Sequence, residues 1–336
     1  MNHNGPIFIG GLDRCGKTTL RAFLQSHPRI SIPAVGSNMW TYFYNQFGDL
    51  GRAGNFERCL EAMLCYKHVR FLEPDAGRIR REFWQGPPTY ARLFALFQQH
   101  HAEREGKPRW GDQTGVIERY AAPIFAAYPD ARIIHLLRDP RDRYAGSLAL
   151  WPGGKARAGG AAARWLYTTT LAKRNLQKYP GRYLTIRFED MVLSPEQALR
   201  RVCAFLGEDF HPEMLAMPGA PEHRDKLIRR SHGDPAKPPL SAQFIGLYRR
   251  EVPALEIAFM QSVAKPSLER HGYALEPVQL SPRERMQYIL STWPLNTVRL
   301  LAWLGVEWVQ HNFPGRFGRK PGPNMLARKN TEAASA

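Results

Sequence analysis

Apolar residues along the chain fall into short runs, with polar stretches of helical spacing between them. Pro6–Gly10 is a compact apolar run and predicts a buried strand. Gly11–Gly16 predicts a loop. Lys17–Ser26 predicts a helix with Leu20, Phe23 and Leu24 on one face, closed by His27-Pro28. Within residues 40–105, rich in aromatics and helix formers, Glu57–Val69 and Tyr90–Glu105 read as helices, divided by Gly86-Pro87-Pro88. Ala131–Leu137 reads as a second buried strand, followed by Arg138-Asp139-Pro140-Arg141-Asp142 and a helix from about Arg143. Gly153–Gly160 breaks the pattern. Ala161–Lys178 resumes it as a helix ended by Pro180-Gly181, and Arg182–Phe188 alternates as a strand. Ser194, Pro195 and Gln197 have the spacing of an N-cap, a first-turn proline and a capping-box partner, opening a helix that ends near Gly207.

Strands thus alternate with helices through about residue 207. That order predicts an α/β fold with a mostly parallel central sheet flanked by helices. Residues 208–240, rich in Pro, His and charge, read as loop. Ser281–Gln310 reads as one or two helices, with Pro294 breaking or starting one. Leu295, Val298, Leu301, Ala302, Gly305, Trp308 and Val309 recur there at near-helical spacing, and a basic, Gly/Pro-rich tail follows from Pro314. The expected division is an α/β domain over residues 1–275 and a helical extension over 276–336. The chain shows no internal repeat.

Composition adds direction. With 43% hydrophobic residues the 336-residue chain can build a core, and its net charge of +17 points to anionic partners. No nucleic-acid module organises that charge, so nucleic acid is not an expected partner. Cys15, Cys59, Cys65 and Cys203 form no CxxC pair and no cluster with His, which suggests a reducing compartment. The N-terminus lacks a signal-peptide pattern, and no apolar run is long enough to span a bilayer. The expected location is cytoplasmic, with peripheral membrane contact through the C-terminal extension as one reading and a helix packed on the enzyme as the other.

Gly11-Leu12-Asp13-Arg14-Cys15-Gly16-Lys17-Thr18 matches GxxxxGK[ST] in its required strand–loop–helix setting. Glycines let successive N–H groups curl around an anion, the helix N-terminus adds positive potential, and Arg14 and Lys17 add full charge. Alone, this loop suggests a phosphotransferase using ATP and Mg²⁺. Such an enzyme usually places an Asp for the metal at the end of an apolar strand. Ala131–Leu137 ends instead in the cation Arg138, which favours a chemistry that handles phosphate without a metal.

These segments together resemble the sulfotransferases that use 3′-phosphoadenosine-5′-phosphosulfate (PAPS). Phe8-Ile9-Gly10-Gly11, Arg14-Cys15-Gly16-Lys17-Thr18 and His27-Pro28 are similar to the family's 5′-phosphosulfate loop. Ala131–Asp142 with Ser147 is similar to its 3′-phosphate motif. Arg187-Phe188-Glu189-Asp190, Ser194-Pro195-Glu196 and Phe205-Leu206-Gly207 resemble its late strand and helix, Trp110-Gly111-Asp112-Gln113-Thr114 more weakly resembles a further segment, and His271-Gly272-Tyr273 fits the domain's end. The resemblance implies that Arg14, Cys15, Gly16, Lys17, Thr18 and Thr19 wrap the donor, and that Arg138 and Ser147 hold its 3′-phosphate. It makes Arg14 the principal cation at the breaking bond and Lys17 a supplementary one. Cys15 stands for the family's Ser, Lys17 for a Thr and Gln113 for a Lys. Ser147 follows Arg138 by nine positions where eight is commoner, which leaves Arg141 as a substitute.

The acceptor is then a small molecule, a glycan or a lipid-linked molecule bearing a hydroxyl or amine. Asp112 is the candidate base, with a loop or cap role as the alternative. Asp13 is a candidate for orienting Arg14 or the acceptor. His135 reads as a core histidine. Trp40, Tyr42, Phe43 and Tyr44 read as an acceptor wall or as core, and Arg229 and Arg230 as phosphate contacts or as a solvated charge run.

Overall fold

The computed structural model describes residues 5–148, 157–230 and 242–326. In chain order the principal elements are β1 (Ile7–Gly11), α1 (Lys17–Gln25), β2 (Ile30–Ser31), α2 (Ala53–Leu64), α3 (Ala76–Phe83), α4 (Tyr90–Arg104), β3 (Arg109–Gln113), β4 (Arg132–Leu137), α5 (Pro140–Leu148), α6 (Ala158–Lys178), β5 (Tyr183–Arg187), α7 (Pro195–Leu206), α8 (Pro221–Arg230), α9 (Ala254–Arg270), α10 (Pro282–Gln287) and α11 (Trp293–Asn312). Five strands form one sheet in the order β2-β3-β1-β4-β5, every pairing parallel. β1 is central, paired at Ile7 with both Gly111 and Arg132.

The sheet is buried on both faces, which explains why β1 and β4 read as unbroken apolar runs. Phe8 and Ile133 point to one side, into a core with Phe94 and Trp110. Ile7, Ile9, Ile134 and Leu136 point to the other, against Leu20 and Leu24 of α1 and Leu199 of α7. Because parallel strands all end on one side of the sheet, the loops after β1 and β4 come together at the carboxyl edge, where α/β folds place ligands.

Several elements differ from expectation. β3 carries Gly111 and Asp112 and has no apolar alternation, yet it is a strand because the sheet on either side and partners for Asp112 override local propensity. α5 starts at Pro140 rather than Arg143, with proline in the first helical turn. Ser194 sits at the N-cap of α7 but its side chain caps nothing. The capping box forms instead at Ser281 with Glu284, opening α10. Pro221–Arg230, expected as loop, is the helix α8.

In the C-terminal extension, a π-helical turn (Tyr288–Thr292) joins α10 to α11, and Pro294 lies in the first turn of α11 without interrupting it. α11 packs along α6. The Gly159 N–H donates to Asn296 Oδ1 at 3.0 Å, Trp303 meets Tyr167 edge-on, and buried Glu307 pairs with Arg119 and Arg319. The inward face is therefore Asn296, Leu300, Trp303 and Glu307. The recurring apolar residues Leu295, Val298, Leu301 and Trp308 are exposed on the outer side.

Candidate functional site

The loop between β1 and α1 is shaped by backbone requirements. Gly16, the N-cap of α1, has φ 93°, and a Cβ there would lie 2.4 Å from the Phe188 ring. Only glycine meets both conditions. Arg14 is also left-handed, at φ 65°. The buried Cys15 thiol donates to the Leu12 carbonyl at 2.7 Å, and burial raises its pKa, so it stays protonated. Its side chain therefore pins the loop from inside and does not face ligand.

Two cavities flank this loop and share part of its wall. The first, about 380 Å³, is lined by Arg14, Gly16, Lys17, Thr18, Thr19 and Arg138, with Phe188, Phe244 and, from α8, His223 and Lys226 closing it. The second, about 440 Å³, is lined by Gly36, Asn38, Tyr42, His68, Gly115 and Arg319. Leu12, Asp13, Lys17, Thr18 and Gln113 belong to both. Lys17 Nζ stands at this junction, donating to the Gly11 carbonyl at 2.6 Å. Arg14 lines the first cavity alone. A larger cavity of about 790 Å³, bounded by Trp40, Tyr44, Tyr90 and Pro123, touches none of the loop residues.

Arg138 carries the electrostatics of the first cavity. Its terminal nitrogens donate to the main-chain carbonyls of Arg14 (2.9 Å) and Phe244 (2.6 Å), its Nε has no partner among the described residues, and its guanidinium lies 4.5 Å from the Phe188 ring centroid. Burial lowers its pKa from the ordinary arginine value, although the Asp142, Glu189 and Asp139 carboxylates nearby act the other way. At the loop's other side, burial tends to raise the Asp13 pKa, but the Arg143 guanidinium 2.9 Å away, together with Lys17 and Arg164, more than offsets this and holds the carboxyl below its ordinary value.

The sulfotransferase family model matches residues 6–212. The chain belongs to the sulfotransferase family. The sulfotransferase domain of the Synechococcus PCC 7002 olefin synthase shares the fold: it is 20% identical with a TM-score of 0.54, covering 82% of this chain and 98% of that one. The sulfotransferase domain of the curacin biosynthetic pathway is 18% identical with a TM-score of 0.49, covering 82% of this chain and all of its own. No curated protein matches the sequence. At the family level the chain is a transferase whose fold supports sulfuryl transfer with a PAPS-like donor.

Within this sulfotransferase the structure brings Arg14, Gly16, Lys17, Thr18, Thr19 and Arg138 to one cavity. It does not bring Ser147 there: its hydroxyl donates to the Arg143 carbonyl one turn back in α5, at 3.0 Å, and it lines neither cavity. Nor can Arg141 replace it. That side chain is buried in contacts with Asp139, Gln261 and the Ala274 carbonyl.

Asp112 is not a loop residue and lines neither cavity. Fully buried on β3, it accepts from Ser37 N (3.0 Å), Ser37 Oγ (2.8 Å) and Thr114 Oγ1 (2.5 Å), and burial raises its pKa. Its carboxylate fixes the Ser37 turn beside Gly36 and Asn38, so it shapes the second cavity from behind. His135 is a core residue paired with Glu118. Trp40 and Phe43 are core, while Tyr42 reaches the second cavity. The side chains of Arg229 and Arg230 lie outside what is described.

Sequence reasoning missed His223, Lys226 and His68. The first two sit on α8, whose signal was Pro221 followed by helix formers. Thr19 Oγ1 lies 3.2 Å from His223 Nε2, tying α8 to α1. His68 has no local signal. Its Nδ1 lies 2.9 Å from the Gly36 carbonyl, which only accepts, so Nδ1 donates there, and the Tyr66 hydroxyl lies 3.1 Å from the same nitrogen.

Proposed function

We propose that this sulfotransferase moves a sulfuryl group from PAPS, held in the first cavity, to a hydroxyl or amine presented in the second. The observation that carries this is the shared wall: donor-sized and acceptor-sized spaces meet at Leu12, Asp13, Lys17 and Thr18. The donor fits the first cavity because a phosphate placed there would meet the N-terminus of α1, which no side chain caps, and would lie beside buried Arg138, whose Nε has no partner among the described residues. When bound, PAPS supplies an activated sulfuryl group on a phosphate leaving group.

The chain's own residues hold and polarise. Arg138, with Lys226 nearby, secures the nucleotide end. Arg14 supports the 5′ end from the donor side. Lys17, at the junction, is the cation placed to meet charge growing on the leaving oxygen, and so takes the principal role that the family resemblance gave to Arg14. His68, on the wall of the second cavity, is the base that relieves the acceptor of its proton, and Asp112 positions the wall beside it. Arg319, Asn38 and Tyr42 place polar groups in the second cavity among apolar lining from Leu12, Ala34, Val35 and Val116, so the acceptor it suits carries hydrogen-bonding groups without being wholly polar.

The direct check is binding of 3′-phosphoadenosine-5′-phosphate, the desulfated product, by calorimetry in EDTA. The product should bind without metal, and ATP should gain nothing comparable from Mg²⁺. Product binding that requires Mg²⁺, or a clear preference for ATP with Mg²⁺, would return the site to phosphoryl transfer.

A further inference from the structure

Amphipathic helices in water bury their apolar side, and α11 does the reverse. Its inward positions include the polar and charged Asn296 and Glu307, both buried and paired. No exposed residue from Trp293 to Trp308 is polar or charged. Leu295, Val298, Leu301 and Val306 stand 47% to 63% exposed, and Ile289 and Leu290 in the preceding π-helical turn continue the face. Eleven of the sixteen large hydrophobic side chains exposed among the described residues lie between Met286 and Phe317, so this is one surface and not scatter.

The ends of this face are cationic. Arg283 and Arg285 are exposed on α10 at one end, and Arg316 and Lys320 are exposed beyond the other. Trp293 and Trp308, 44% and 61% exposed, sit within the apolar strip with indole N–H groups that seek a polar boundary. Apolar side chains flanked by cations and amphipathic rings match the boundary between acyl chains and anionic headgroups. No helix among the described residues, α11 included, is long and apolar enough to cross a membrane.

We infer that α10–α11 docks the enzyme onto an anionic lipid bilayer, the helix lying in the interface with its outer face inserted. A second copy of the chain is the competing cover, and charge argues against it. A two-fold pairing along α11 would set cationic ends against cationic ends, whether the helices run parallel or antiparallel. No residue of α10 or α11 lines either cavity, so the inference stands or falls independently of the chemistry proposed above.

The experiment is flotation of the full chain with phosphatidylcholine vesicles, with and without phosphatidylglycerol, alongside sedimentation velocity without lipid. Wild-type protein should float with the anionic vesicles, at least about tenfold more strongly than with neutral ones, and lose this in high salt. The double variant Val298→Glu/Leu301→Glu, altered only at exposed positions, should keep its melting temperature and its affinity for 3′-phosphoadenosine-5′-phosphate while vesicle partitioning falls about tenfold or more. Absence of wild-type flotation, or equal flotation of the variant, overturns the inference. So does a wild-type dimer that the same variant makes monomeric, because the face would then be covered by a second copy.

Discussion

At the residue scale, the site turns on which side chain meets the moving charge. Arg14 and Lys17 are three positions apart across the loop–helix junction, yet Arg14 lines only the first cavity while Lys17 lines both. A cation that meets charge only as the bond breaks is worth more in the transition state than in the ground state, so its loss shows in kcat. Lys17→Ala should therefore lower kcat by about a hundredfold, the scale for losing one charge-stabilising donor. Arg14→Ala should act mainly on donor KM. In the same single-turnover series His68→Gln should lose turnover at unchanged donor affinity, because it touches the acceptor side alone. A near-normal kcat for Lys17→Ala beside a collapsed one for Arg14→Ala would reverse the assignment.

At the element scale, β1, the loop and α1 were legible in the sequence because their signals are local: an apolar run, glycines where φ is positive, and a helical stripe. Arg138 was legible for the same reason, standing at the end of an apolar strand. Asp112 was misread because nothing around Trp110-Gly111-Asp112-Gln113 marks a strand. Its role depends on Ser37, which is distant in sequence and adjacent only in the fold. The apolar recurrence in α11 was legible but its direction was not, since periodicity gives a face and not the side that packs. The seam it leaves can be tested directly. A Cβ on Gly159 would lie 2.0 Å from the Asn296 carbonyl oxygen. Gly159→Ala should force α11 off α6, cost about 1–3 kcal/mol in urea unfolding as overpacking does, and open residues 276–292 to limited proteolysis. Unchanged stability and unchanged cleavage would show that the seam is loose.

At the scale of the whole molecule, the parallel sheet gathers the ends of β1 and β4 at one edge, and α8 and the segment around Phe244 close the first cavity from beyond the matched family region. The central claim is that this space is built for a nucleotide with a 3′-phosphate and that Arg138, buried and with its Nε unpaired among the described residues, is what reads it. The most direct measurement is calorimetric titration of wild type and Arg138→Ala with 3′-phosphoadenosine-5′-phosphate and with the analogue lacking the 3′-phosphate. A charge-assisted phosphate contact is worth about 1.5–3 kcal/mol. Arg138→Ala should thus weaken the first ligand by about ten- to a hundredfold and leave the second nearly unchanged. Equal loss for both ligands, or none for either, would contradict the account.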